Sequence, residues 1–257
     1  MALVSVIVPS YNSDEWLAQC LDSISSQNFD GVEVIVIDDP KGSGASAARN
    51  RGLDKATGEF VMFCDADDYL APKAIETLVG AMDGVDMVAG SFRKFGDFEA
   101  IVQHPTEVLL ESQVAEYAMG NLLNPRQNQL LSGCWAKLYR MSMVGRFPDI
   151  TTAEDMAFNF DYLRNCSKVS FISDVVYHNR KRQGSLSTTF DRDNIRGLFG
   201  FLPAMKYMRD FLERFYTDDE IEDALDNSKM YHSMLYFMRI CAQEGGTQRD
   251  VLCKLFP

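Results

Sequence analysis

Glu59-Phe60-Val61-Met62-Phe63-Cys64-Asp65-Ala66-Asp67-Asp68 is an apolar, aromatic-rich run that ends abruptly in three carboxylates. A short apolar run bounded by turn-forming residues reads as a buried strand, here one that delivers its acidic cluster at a sheet edge. The pattern occurs twice upstream. Leu3 to Val8 is a β-branched run closed by Pro9, and Val32 to Ile37 is a second buried strand that ends in Asp38 and Asp39. Between them, Asn12 and Glu15 form a capping-box pattern, followed by Trp16, Leu17, Cys20, Leu21 and Ile24 at helical spacing. Gly42, Ser43 and Gly44 lead into a helix that runs to about Ala56 and is stopped by Gly58. Downstream, Pro72 starts a helix toward Met82, and Asp86 to Ser91 supplies a fourth strand. Alternating strands and helices predict an α/β fold with a Rossmann-like, mostly parallel sheet, essentially complete by Ser91. Phe92 to about Gln129 reads as a variable connection with one helix near Ser112 to Leu122.

The 257 residues, 46% of them hydrophobic, suffice for one large α/β domain, or for one domain plus a helical appendage. The chain has no uncharged apolar stretch near the roughly 18 residues a spanning helix needs, and its start lacks the order of a signal peptide. The expected location is therefore the cytoplasm. Cys20, Cys64, Cys134, Cys166, Cys241 and Cys253 are scattered without a C-x-x-C pair, which suggests reduced thiols and neither a zinc knuckle nor a disulfide framework. A net charge of −12 argues against nucleic acid as a partner.

Open α/β sheets bind ligands beyond the carboxyl ends of their strands, where the acidic cluster falls. Asp65 and Asp67 are two residues apart, so in extended chain both carboxylates project to one side and one divalent ion could bridge them. Hard oxygens suit magnesium or manganese, with water and substrate phosphates completing the shell. The plainer reading is an acidic turn.

Val4-Ser5-Val6-Ile7-Val8-Pro9-Ser10-Tyr11-Asn12, Val34-Ile35-Val36-Ile37-Asp38-Asp39, Ala48-Arg49-Asn50-Arg51-Gly52 and Asp65-Ala66-Asp67-Asp68 together resemble family-2 glycosyltransferases. Glu154-Asp155 and Tyr177 to Ser187 extend the likeness to about residue 190. The resemblance implies a GT-A fold, a nucleotide-diphosphate sugar donor, a divalent metal (Mn2+ or Mg2+) at the D-x-D element and inversion at the anomeric carbon. It divides the chain into a catalytic domain over 1–190, with a nucleotide-binding half at 1–92 and an acceptor half at 93–190, and a helical extension over 191–257. It places Pro9 and Tyr11 around the base and Asp39 at a base edge. A tyrosine face can stack on a base, and a carboxylate can accept the imide hydrogen of uracil or thymine. Arg49, Asn50 and Asp65 would then help hold the donor, and Asp67 and Asp65 the metal.

A competing pattern, Gly42-Ser43-Gly44-Ala45-Ser46-Ala47, fits the dinucleotide fingerprint G-x-G-x-x-A, but Asp38-Asp39-Pro40-Lys41 separate it from the strand. An NAD-dependent oxidoreductase is thus a distant alternative, and a catalytically degenerate nucleotide-sugar-binding module is the non-enzyme one. Ser132 to Tyr139 reads as a strand in which Trp135 lines either a sugar pocket or the core. A helix start near Thr152 presents Glu154 and Asp155, and the resemblance makes Asp155 the catalytic base with Glu154 beside it. Ala153 stands where relatives often carry glycine. Tyr177 to Ser185 is the strongest basic cluster and resembles a segment that closes over the diphosphate. There His178 could join the metal shell, and Arg180 or Arg182 could neutralise the leaving group. Residues 191 to 216 form an amphipathic helix, expected to pack on protein, either the catalytic domain or a second subunit in a homodimer. The alternative is an anionic membrane surface at the inner face. The acceptor, whether a carbohydrate, a lipid-linked species or a protein, is not legible, although cell-surface polysaccharide synthesis suits the family.

Overall fold

The computed structural model describes residues 2–39, 42–97, 99–124, 131–150, 152–181 and 195–244. The first half alternates as expected: β1 (Val4–Ser10), α1 (Asp14–Ser25), β2 (Val32–Asp38), α2 (Ala45–Leu53), β3 (Phe60–Phe63), β4 (Tyr69–Leu70) and α3 (Ala74–Gly80). Then follow β5 (Met87–Gly96), β6 (Ala100–Val102), β7 (Glu107–Leu110), α4 (Glu111–Leu123), β8 (Lys137–Arg140), α5 (Glu154–Leu163) and β9 (Lys168–Lys181). Helices α6 (Ile195–Leu212) and α7 (Asp218–Glu244) come last.

The strands form one sheet in the order β2-β1-β3-β8-β5-β9-β4, with β6 on β5 and β7 on β9. β1 pairs in parallel with both β2 and β3, as a βαβ reading requires. The sheet is not complete at Ser91. β8 inserts antiparallel between β3 and β5, and β9 lies parallel to β5 along nearly its whole length. A strand order in which late strands enter the middle depends on pairings between distant segments, which local periodicity cannot reveal.

β1 is buried along nearly all its length, with Val4, Val6, Ile7 and Val8 inaccessible. Gly52 lets α2 lie against it, since a Cβ there would come within 2.4 Å of Ile7 Cγ2. β2 is an edge strand instead of a strand buried on both faces: Ile35 and Ile37 face the core while Val34 is 42% and Val36 37% exposed. The capping box at Asn12 does not form. Asn12 takes a left-handed backbone (φ 49°), Ser13 is the cap residue without a side-chain cap, and its hydroxyl donates to Tyr11 O.

The amphipathic run near the end does pack on protein. Ala204, Met205, Met208, Phe211 and Leu212 are buried, and Phe211 meets Phe160 of α5 at 5.7 Å between ring centroids. Among the described residues no helix is long and apolar enough to cross a membrane.

Candidate active site

Arg49 projects from α2 with a side chain only 4% exposed, and a guanidinium in that position needs partners. Three carboxylates from two distant segments supply them. Nη2 lies 2.9 Å from Asp65 Oδ1, and Nη1 lies 3.1 Å from Glu154 Oε1 and 2.8 Å from Asp155 Oδ1. The Phe147 ring, stacked on Phe158, backs the cation at 5.2 Å. Three carboxylates against one guanidinium leave the cluster anionic. Burial and the charge of Asp155 push Glu154 up to about 7, with Arg49 pulling the other way. Burial likewise raises Asp155, opposed by Arg49 and by hydrogen bonds from the Cys134 thiol and N–H, while Asp65 adds to the rise.

Asp155 Oδ1 sits close to Arg49 but off the line of its N–H bonds, so it lacks an aligned donor among the described residues. The side chain is still 17% exposed, within reach of a ligand. Helix α5 begins at this pair, and carboxylates in a first turn are favoured by the helix dipole. Ala153, the residue before it, holds φ 62°, a left-handed backbone that glycine adopts more readily and that costs alanine about 1 kcal/mol.

The acidic turn after β3 splits into different jobs. Asp68, 2% exposed, accepts from the Tyr177 hydroxyl (2.8 Å), Asn179 Nδ2 (2.8 Å) and the Arg180 N–H (2.6 Å), so it fastens the turn to β9. Burial, then the charges of Asp65 and Asp67, push it up to about 8 against those donors. The Tyr177 hydroxyl also accepts from the Asp65 N–H at 3.0 Å. Asp65 itself is committed to Arg49, while Asp67 is half-buried and its carbonyl accepts from Arg180 Nε at 2.8 Å.

His178 stacks on Tyr69 at 4.5 Å. It alternates along β9 with Tyr177 and Asn179, the residues that meet Asp68, and so faces the other way. The expected metal set of Asp67, Asp65 and His178 is therefore not assembled. Among the described residues no group of three or more His, Cys, Asp or Glu side chains is arranged to hold a metal ion. Arg180 is half spent on the scaffold: its Nη2 donates to Gln19 Oε1 at 2.6 Å and its guanidinium lies 4.6 Å over Phe95. The basic segment as far as Lys181 is the end of a strand and not a closing loop, and Arg182 to Ser187 lie outside the described residues.

On the expected nucleotide side, Tyr11 follows β1 with 51% of its surface exposed, and a Cβ on Gly42 would come within 3.1 Å of its ring. Pro9 is half-buried and pairs with Ile37 of β2. Asp39 is buried. Burial alone would raise its carboxyl, but hydrogen bonds from Ser43 and Arg51, with the Arg51 charge, hold it below the usual carboxylate range. Asn50 spends its amide on the scaffold. Its Nδ2 donates to Phe147 O and its Oδ1 accepts from the Phe147 N–H, both at 2.9 Å, so the amide pins the 144–150 segment to α2. Trp135 stacks on Tyr177 at 5.1 Å and meets Phe92 edge-on at 4.4 Å. Gly133 packs so tightly on the indole that a Cβ would be 2.5 Å from Cε2, which makes Trp135 a wall between the acidic turn and β5. Sequence reading passed over Cys134, a fully buried thiol in the turn before β8. Its only signal was its place beside Trp135.

A model of the family described as glycosyl transferase family 2 matches residues 5–42 and 40–144. Glycosyltransferase GlyA of Streptococcus pneumoniae serotype 4 (strain ATCC BAA-334 / TIGR4) is 27% identical over 219 residues, which cover 72% of this chain and 31% of GlyA. The chain spans less than two thirds of the length of several curated relatives that it matches. The crystal structure of S. aureus TarS 1-349 in complex with UDP-GlcNAc superposes with a TM-score of 0.67 at 21% identity, covering 88% of this chain and 71% of that one. Mannosyltransferase PcManGT from Pyrobaculum calidifontis, in complex with GDP-Man and Mn2+, gives 0.57 at 18% identity, with 98% and 74% covered.

Proposed function

From a chain that belongs to glycosyl transferase family 2 and has its GT-A fold, we propose an enzyme that moves a sugar from a nucleoside-diphosphate donor, UDP-linked by preference, onto an acceptor hydroxyl with inversion. The observation that carries this reading is the Arg49 cluster, which ties the donor-side Asp65 to the carboxylates Glu154 and Asp155. The TarS and PcManGT complexes support a nucleotide-sugar donor by likeness of fold.

In the proposed step the acceptor oxygen bonds to the anomeric carbon as the bond from that carbon to the phosphate oxygen breaks. The electron pair leaves with the diphosphate, and the acceptor proton passes to Asp155. The ion pair of Asp155 with Arg49 supports this role, and Glu154 is a second carboxylate on the same guanidinium. Tyr11 offers an exposed face to a base beside Asp39. A divalent cation, Mn2+ or Mg2+, fits Asp67 as a single hard-oxygen ligand alongside water and phosphate oxygens, and when bound it would offset charge on the diphosphate. The acceptor, a carbohydrate, a lipid-linked species or a protein, is left as a class.

The test is Asp155→Asn, which keeps the shape and removes the proton acceptor. Turnover of UDP-sugars should fall by about 10²–10⁴-fold while UDP binding by calorimetry stays within a few-fold. Turnover near wild type would assign Asp155 to structure. Stabilisation by NADH in preference to UDP with manganese would end the transferase reading.

A further inference from the structure

The connection from β2 to α2 closes on itself around Asp39. The Asp39 N–H donates to the carbonyl of Ser10, the residue before Tyr11, at 2.9 Å, and the Gly42 N–H donates back to Asp39 O at 2.9 Å. Gly42 holds φ 64°, and a Cβ there would come within 3.1 Å of the Tyr11 ring, so the turn lies against that ring. One stretch of backbone thus sets Asp39 beside the exposed Tyr11.

The Asp39 side chain is only 8% exposed, and two groups meet its carboxylate. The Ser43 hydroxyl lies 2.9 Å from each oxygen, and Arg51 Nη2 lies 3.2 Å from Oδ1. Arg51 also reaches Ser43, its Nη1 donating to Oγ at 2.8 Å. This triangle has a fixed polarity. A guanidinium only donates, so the Ser43 oxygen accepts from Arg51 and its single proton goes to Asp39. Asp39 accepts along both sides, as a carboxylate does and a carboxylic acid does not. The two oxygens of a carboxylate offer about four lone-pair sites, so room is left for one more donor.

We propose that Arg51 and Ser43 determine base specificity: they fix Asp39 as an acceptor beside Tyr11, so that the site takes a pyrimidine with a ring N–H at that edge, uracil or thymine, and rejects cytosine, which presents a lone pair there. This rests on the transferase reading and on Asp39 at the base edge. A site built to bond an N–H discriminates strongly, because a ligand without it leaves a buried acceptor unpaired. Arg51 and Ser43 act through Asp39 and are positioning residues.

Calorimetric binding of UDP and CDP, with manganese at pH 7.5, compares ligands of nearly one shape that differ at that edge. The wild type should prefer UDP by at least about tenfold, the scale of one hydrogen bond to a charged group. Arg51 is 42% exposed, so Arg51→Met leaves the core intact. It should bring the UDP-to-CDP ratio down to about one, and Ser43→Ala should lower the ratio in the same direction. Arg51→Lys, which keeps a cation that only donates, should keep UDP ahead. A ratio unchanged in Arg51→Met, even with both affinities lowered, would leave Arg51 a surface ion pair and overturn the proposal. Equal binding of UDP and CDP by a wild type that turns over nucleotide sugars would overturn it too, and leave the transferase reading standing. A wild type that binds neither nucleotide and turns over no nucleotide sugar would sink that reading, and the proposal with it.

Discussion

Replacing Arg49 with methionine keeps most of the side-chain volume and strips from three carboxylates the only guanidinium that pairs with them among the described residues. Each pair, 2.8–3.1 Å apart, has a gross attraction of about 6 kcal/mol at an effective dielectric of about 20, most of it offset by desolvation. The useful figure is the cost of removing one partner from a buried pair, about 3–5 kcal/mol. Asp65, Glu154 and Asp155 keep 27%, 20% and 17% exposure, so some of that repulsion relaxes into water and the low end, about 3 kcal/mol, is expected. In a chain of this size that is a fall of roughly 6–12 °C in Tm.

The loss should depend on pH, and its sign follows from Glu154. Its folded pKa of about 7 lies above the ordinary 4.5, so this group opposes folding increasingly as pH rises from about 4.5 to 7, and not below. Without Arg49 the folded values of Glu154 and Asp155 climb further and the opposition deepens. Arg49→Met should therefore cost less at pH 5 than at pH 7.5, as read by urea unfolding followed by circular dichroism. A loss under about 1 kcal/mol, or an equal loss at both pH values, would refute the idea that Arg49 is the electrostatic centre of the site.

Two more outcomes separate the jobs of neighbouring residues. Asp67→Asn should weaken manganese-dependent UDP binding at least tenfold by calorimetry. Asp68→Asn, which turns an amide toward three donors, should cost about 1–3 kcal/mol of stability; equal effects on binding would mean that the ligand assignment is wrong. Asn50→Ala should destabilise by about 1–3 kcal/mol through the two lost bonds to Phe147 and leave UDP affinity within a few-fold, whereas a tenfold loss of affinity would return Asn50 to the donor site.

The parallel half of the fold was legible because each strand is a local run: Val4 to Val8, Val32 to Ile37 and Phe60 to Phe63 announce themselves by composition. The placement of β8 was not, because nothing in Lys137 to Arg140 encodes partners on β3 and β5. At the site, the motifs pointed to Arg49, Asp65, Glu154 and Asp155, but not to one guanidinium joining them. That requires the fold to bring together positions 49 and 154. Asn50 shows the reverse limit. Its motif suggested a ligand contact, while the structure uses its amide to hold Phe147, and a sequence does not show where an amide points. Asp65 and Asp67 were paired by their spacing and by the resemblance, yet the chain turns between them and sends one to Arg49.

β2 ends the strand order, and among the described residues no strand covers its outer side. Such an edge is a template for another chain, and Val34 and Val36 make it an adhesive one. Colloidal repulsion opposes that contact: with a net charge of −12, two copies approaching edge to edge repel before their backbones can pair. The surplus of acid thus serves as a dispersant for the sheet. Salt that screens it, or acid that neutralises it, leaves the valine-lined edge to find a partner.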